Sequence, residues 1–195
     1  MRGVALLAAV VLAVVLLCGV PLNSIRECLE APYSNPPSSF RDSDLLGTWE
    51  AHYGQSIDRV ILKADGTFKQ VYEDNYVEGY VYETPWNAWS VERFPDGRAR
   101  VHLEGARYYT AGIATAELDG MHFGGPELWG RSGPPPYPFY DPFADETVDM
   151  VGELILNVRT NPSAELLLHH MFIETDRGFA IIGCQWNIFR HVNRP

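Results

Sequence analysis

The sequence predicts an all-β fold, either an antiparallel barrel or a sandwich, and three observations support this. Two runs of alternating apolar and polar residues, 57–64 and 67–73, flank Asp65-Gly66, a strong signal for a β-hairpin. More short runs of this kind follow, separated by turn residues such as Pro95-Asp96-Gly97. No segment of useful length shows the periodicity of an amphipathic helix. Regularly spaced short strands with turns between them are typical of barrels and sandwiches.

The register of the first hairpin follows from the separation of apolar and charged residues. A two-residue loop would pair Lys63 with Phe68, which places a charged residue beside an apolar one. A three-residue loop, Ala64-Asp65-Gly66, pairs Leu62 with Phe68 and separates two faces. This loop requires a positive φ at Gly66, where a Cβ atom would be penalised. The predicted inner face then carries Val60, Leu62, Phe68, Gln70 and Tyr72.

The motif Gly47-Thr48-Trp49 opens the first predicted strand. Such a Gly-x-Trp, followed by a strand and then a strand–Asp-Gly–strand hairpin, resembles the beginning of lipocalin-like (calycin) barrels. The resemblance implies an antiparallel barrel of about eight to nine strands, occupying residues 45–195. It also implies that Trp49 lies across the closed end of the barrel. An arginine near the last strand commonly packs on this tryptophan in that family, and Arg190 is the candidate here.

The rest of the domain continues the strand pattern with one interruption. Further strands are predicted within residues 76–83, 86–93, 98–104, 108–118, 147–158, 164–174 and 179–191. The interruption is residues 124–145, in which proline alternates with aromatic residues. A loop of this length within a compact domain is commonly functional or disordered. We interpret it as a surface insertion, a lid over the barrel mouth, or a docking strip for a partner.

The N-terminal segment predicts export from the cytoplasm. Residues 4–22 are almost purely apolar and carry no charge, and they are long enough to cross a bilayer as a helix. We therefore predict a transmembrane anchor at residues 1–23, with a cleaved signal peptide or lipidation at Cys18 as alternatives. Arg2 favours a single-pass topology with the C-terminal domain outside the cytoplasm. Residues 24–44 are rich in proline and serine and predict a linker.

The cysteines predict one disulfide bond in the exported part of the chain. Because Cys18 lies in the apolar segment, Cys28 and Cys184 are the only thiols left outside it. Two such thiols tend to pair in an oxidising compartment, which would tie the leader to the last strand. The alternative is that Cys184 is a buried free thiol that packs as a small apolar residue.

Composition and motifs exclude several functional classes. The net charge of −10 disfavours nucleic acid as a partner. The sequence lacks HExxH, CxxC, GxSxG and nucleotide-binding motifs, so we predict no catalytic residue, no metal and no cofactor. His102 and Glu104 share one strand face with Arg100, which indicates a solvated surface. His169 and His170 are adjacent in a strand and point to opposite faces.

Two functional hypotheses remain. In the first, an extracytoplasmic, membrane-anchored barrel binds a small apolar or amphipathic molecule and catalyses nothing, with Gln70 and Tyr72 as polar groups in an apolar wall. In the second, the core is filled, and a structural or interaction domain docks an envelope protein through residues 124–145. An open pocket beside Gln70 and Tyr72 would favour the first hypothesis, and a solid core would favour the second. We also expect the substitution Gln70→Leu to weaken ligand binding with little effect on stability.

Overall fold

The computed structural model describes residues 33–53, 56–74, 80–109, 138–173 and 188–192. The N-terminal apolar segment, the three cysteines and residues 124–137 lie outside these ranges. The anchor and the Cys28–Cys184 disulfide therefore stay predictions. Within the described ranges, no helix is long and apolar enough to span a membrane.

The described residues form one short 3₁₀ helix and twelve strands. The 3₁₀ helix is Asp42–Leu45. The strands are β1 (Gly47–Tyr53), β2 (Ser56–Leu62), β3 (Thr67–Asp74), β4 (Tyr80–Glu83), β5 (Asn87–Arg93), β6 (Ala99–Glu104), β7 (Pro138–Asp141), β8 (Glu146–Asp149), β9 (Glu153–Thr160), β10 (Leu166–His170), β11 (Phe172–Ile173) and β12 (Ile188–Val192).

Eight of these strands form a closed antiparallel barrel. In the order β1-β2-β3-β5-β6-β9-β10-β12, each strand pairs with the next, and β12 pairs back with β1. Strand β4 extends the sheet beside β3, and β11, β7 and β8 form a separate three-stranded sheet. The predicted all-β antiparallel barrel is therefore confirmed. The pairing of β2 with β3 closes the eight strands into a ring, so none of these eight is a free edge of an open sheet.

The register predicted for the first hairpin is confirmed. Leu62 lies opposite Phe68, and the Lys63 N–H donates to the Thr67 carbonyl at 2.9 Å. Gly66 has a φ of +80°, which is the conformation that the three-residue loop requires. The Asp65 carboxylate accepts hydrogen bonds from Thr67 and fixes the turn.

Trp49 belongs to the core near the start of β1. Its side chain is fully buried, and its indole N–H donates to the Leu45 carbonyl at 2.7 Å, which ties the 3₁₀ helix to the barrel. The residue that lies against Trp49 is His191, with the two rings in a T-shaped contact at 4.9 Å. The predicted partner, Arg190, is exposed and pairs with Glu165 instead. The reason is the two-residue alternation of a strand, which sends neighbours to opposite faces.

The end of the Pro-aromatic stretch is a hairpin rather than a loop. Within residues 124–145, the segment Pro138–Asp141 is strand β7, and a turn connects it to β8. Phe139 is fully buried in the main core. The aromatic residues of this part therefore anchor the small sheet on the barrel.

The second half of the predicted linker is also part of the folded unit. Ser34 forms an isolated bridge with Thr160 at the end of β9, with hydrogen bonds in both directions. Phe40 packs against the core and receives the Arg93 guanidinium on its ring at 4.8 Å. The folded domain therefore begins at or before Tyr33, upstream of the predicted boundary at residue 45.

Candidate functional site

The five residues predicted to line the barrel all lie on its buried face. Each has 2% or less of its surface exposed, and the list is Val60, Leu62, Phe68, Gln70 and Tyr72. Alternate residues of β2 are buried along its whole length. Two polar side chains, Ser56 and Asp58, share this phase and are also fully buried. The barrel interior therefore carries more polar groups than the sequence analysis identified.

An irregular segment crosses this interior. Residues 105–109, called here the closing segment, follow directly after β6. On one side its Tyr109 ring stacks on Tyr72 of β3, with centroids 3.9 Å apart. On the other side its Tyr108 ring contacts His170 of β10 at 5.0 Å. Strands β3 and β10 lie opposite each other in the ring of eight, so the closing segment spans the barrel.

The topology places the closing segment at the end of the barrel away from Trp49. The ring strands alternate in direction, so β6 runs the same way as β1. The closing segment follows the end of β6, whereas Trp49 lies near the start of β1. The closing segment therefore occupies the end of the barrel that lies away from Trp49.

Gln70 holds the closing segment in place. Its Oε1 accepts from the Arg107 backbone N–H at 2.8 Å, and its Nε2 donates to the Arg107 carbonyl at 2.9 Å. The side-chain amide thus pairs with a backbone amide through two hydrogen bonds of opposite direction. Nε2 also lies 3.1 Å from each oxygen of Asp58. With these partners, the Gln70 oxygen and its NH₂ group are both engaged in hydrogen bonds within the protein.

Asp58 is a neutral acid inside the barrel. Burial raises its pKa from 3.8 to about 8, and the hydrogen bond from Gln70 offsets only part of this rise. Asp58 therefore keeps its proton at pH 7. The position of Asp58 inside the barrel could have been predicted from the sequence. Asp58 lies two positions before Val60 and four positions before Leu62. The period of the strand places all three on one face.

His170 also lies inside and is neutral. Burial lowers its pKa from 6.5 to about 3, and the neighbouring His169 adds to this effect. Its ring packs between Tyr108 and Phe189. His169 contacts Tyr33 and Phe143 instead. The two adjacent histidines thus lie in different surroundings, as expected for consecutive residues of a strand.

Asp58 gives the protein a pH dependence that can be measured. Its folded pKa is raised, so its stabilising contribution is complete below pH 3.8 and is lost as pH rises towards 8. His170 has the opposite sign, because its depressed pKa removes stability as pH falls from 6.5 towards 3. Between pH 3.8 and 6.5 the two groups change the free energy of unfolding by similar amounts in opposite directions, so their effects cancel. Above pH 6.5, of these two groups only Asp58 still changes the stability.

We therefore expect the free energy of unfolding to fall by about 2 kcal/mol between pH 6.5 and 8, at about 1.4 kcal/mol per pH unit. Asp58→Asn keeps the shape but cannot ionise, so this decline should disappear in the variant. Urea unfolding at several pH values measures both. An equal decline in Asp58→Asn would show that Asp58 is not the group that titrates.

The strand face predicted to be solvated is only partly exposed, because Arg100 is buried whereas His102 is half-buried between two carboxylates. His102 lies between Glu153, at 3.0 Å from Nδ1, and Glu92, at 3.2 Å from Nε2. Glu104 is exposed on the same strand. Among the described residues, no group of three or more His, Cys, Asp or Glu side chains could hold a metal ion.

The fold defines the class of this protein as a closed, eight-stranded antiparallel barrel, which is compatible with a lipocalin-like architecture. Comparison of the chain with protein-family models, curated proteins and solved structures gives no match.

Proposed function

We propose that this chain is a lipocalin-like binding domain that takes up a small amphipathic molecule at the barrel mouth and catalyses no reaction. An N-terminal anchor would hold the domain at a membrane, on its extracytoplasmic side. The observation that carries this proposal is the pairing of Gln70 with the Arg107 backbone. In this view the closing segment occupies the ligand site in the free protein, and the ligand displaces this segment when it binds.

The chemistry of the pairing indicates the class of ligand. Gln70 offers one acceptor and one donor to Arg107, which together match a carboxamide or a protonated carboxyl group. A ligand headgroup of this kind would take the place of Arg107 in both hydrogen bonds. The acceptor and the donor of Gln70 would then both keep a partner. The neutral acid of Asp58 behind Gln70 avoids the repulsion that a carboxylate would create beside a polar headgroup.

The apolar part of the ligand would replace aromatic and aliphatic contacts. Ala106 and Tyr109 of the closing segment are almost fully buried, and Tyr109 lies flat on Tyr72. Their withdrawal would uncover an apolar wall with a few polar groups, which is the usual composition of a small-molecule site. Binding energy must offset the loss of these contacts, so the ligand needs an apolar body of comparable area.

A pair of ligands with one chain and two headgroups tests the proposal. Oleamide carries a carboxamide, whereas methyl oleate has the same chain but lacks the N–H donor. We expect the full chain to bind oleamide at least about fivefold more tightly, since a missing hydrogen-bond partner in a buried site costs at least about 1 kcal/mol. Tryptophan fluorescence titration measures both affinities. Equal affinities, or no binding of either compound, would contradict the proposal.

The second candidate function is an interaction domain with a filled barrel. It is favoured by the large aromatic side chains that occupy the core, among them Trp49, Phe68, Tyr72, Tyr109 and Phe189. Docking of an envelope protein would then involve the Pro-aromatic stretch, whose residues 138–145 pack on the barrel as β7 and its turn. Failure of both oleate derivatives to bind would favour this candidate.

A further inference from the structure

A concave surface lies on the outside of the barrel. It is an open cleft of about 470 Å³, formed where residues 33–36, the β5–β6 turn and the β7–β8 turn meet. The lining is strongly polar and consists of Asn35, Asp96, Arg98, Phe143, Ala144 and Arg159. Its volume is within the range of small-molecule sites. None of these residues belongs to the barrel interior described above.

The central feature of this cleft is Arg159, a buried cation without a carboxylate partner among the described residues. The residue is 8% exposed. Its Nη1 donates to the Asn35 side-chain oxygen at 2.6 Å, and its Nη2 donates to the Tyr33 carbonyl at 2.7 Å. Both acceptors are uncharged, and Nε has no hydrogen-bond partner. Buried charges are normally paired, because an unpaired charge away from water is costly.

The neighbouring charges do not neutralise Arg159. Arg98 is already paired with Asp96 at 2.7 Å and with Glu146 at 2.9 Å. The Asp141 carboxylate binds Arg100 at 2.8 Å and accepts from the Phe143 N–H at 2.9 Å. The Asp141 carboxylate is therefore not a direct partner of Arg159 and attracts its guanidinium only through a longer-range charge interaction. The positive charge of Arg98 repels Arg159. Among the residues that line the cleft, Arg98 is paired with Asp96, which leaves Arg159 as the cation without a carboxylate partner among the described residues.

Other buried N–H donors near Arg159 also lack a hydrogen-bond acceptor. Arg100 Nε and Asn157 Nδ2, like Arg159 Nε, are buried without an acceptor. Asn157 and Arg159 are two apart on β9, and Arg100 is the cross-strand partner of Asn157, so all three lie on the outer face of the barrel. The Arg159 guanidinium carbon lies over the ring of Phe143, 4.2 Å from the ring centroid, in a cation–π contact. The arginine is thus held in a fixed position at the cleft.

We propose that this cleft binds a small anion bearing a carboxylate or a phosphate group, with Arg159 as its main charge partner and Arg98 and Asn35 at its rim. A fixed guanidinium is well suited to either group, since both offer charged oxygens to its N–H donors. This site is independent of the barrel interior and of the amphipathic ligand proposed above.

Titration of the full chain with inorganic phosphate and with succinate tests this proposal and distinguishes the two chemistries. Sodium chloride at matched ionic strength controls for general salt effects. We expect a saturable rise of the unfolding temperature with at least one of the two anions. In Arg159→Gln the apparent affinity should fall at least tenfold. In the matched control Arg190→Gln, which removes an exposed arginine paired with Glu165, it should stay unchanged.

Measurement on the unmodified chain keeps the test valid if Arg159→Gln does not fold. Nuclear magnetic resonance should show saturable shifts of the backbone amides of Asn35 and Ala144 on addition of the bound anion, with little change at Gln70. The absence of a saturable response to both anions would overturn the proposal. An unchanged affinity in a folded Arg159→Gln variant would overturn it as well.

Discussion

Replacing Trp49 with alanine should lower the free energy of unfolding by about 3–5 kcal/mol, the usual cost of removing a large buried aromatic side chain. Trp49 is fully buried, packs on His191 and donates its indole N–H to Leu45. The substitution therefore opens a cavity and also releases the 3₁₀ helix from the barrel.

Chemical denaturation measures this loss, and Trp86→Ala is the matched control. Trp86 is 44% exposed, and its main contact is the Lys63 ammonium group over its ring at 3.4 Å. An exposed cation–π contact contributes about 0.5–1 kcal/mol, so the control should lose no more than about 1 kcal/mol. A loss of similar size in Trp49→Ala would mean that Trp49 does not close the barrel.

Replacing Gln70 with leucine should lower the free energy of unfolding by about 2–6 kcal/mol. The leucine fills the space but removes the two hydrogen bonds that Gln70 makes with the N–H and the carbonyl of Arg107, at a cost of about 1–3 kcal/mol each. This corrects the expectation from the sequence that stability would hardly change. That expectation treated Gln70 as a group free to meet a ligand, whereas it already binds the closing segment.

The adjacent residue provides a control for the Gln70 substitution. Lys69 points to the outer face of the same strand and pairs with Glu83. Since a surface ion pair contributes about 0–1 kcal/mol, Lys69→Leu should cost far less than Gln70→Leu. Equal losses in the two variants would show that the hydrogen bonds of Gln70 to Arg107 do not stabilise the fold.

The local structure of the barrel was predictable because it depends on near neighbours in the sequence. Only one register of the β2–β3 hairpin separates apolar from charged residues, so Leu62 and Phe68 had to pair. The same alternation buries Gln70 and Tyr72, and it extends to Asp58. The positive φ of Gly66 followed from the loop length alone.

The contacts that define the candidate sites were not predictable, because they join residues far apart in the sequence. Gln70 and Arg107 are 37 positions apart, and Asn35 and Arg159 are 124 positions apart. No periodicity connects such pairs. The sequence analysis predicted Arg190 as the partner of Trp49, whereas the structure places the next residue, His191, against it. A shift of one position on a strand exchanges the inside for the outside.

The proposed function requires a ligand to take the place of the closing segment at Gln70. Hydrogen exchange of the Arg107 N–H, resolved by nuclear magnetic resonance with and without oleamide, measures this displacement. Without ligand this N–H is bound to Gln70 and should exchange slowly. With saturating oleamide we predict at least a tenfold faster exchange at Arg107, while the barrel amide of Leu156 stays protected. Binding of oleamide that leaves the Arg107 N–H as protected as before would contradict the claim.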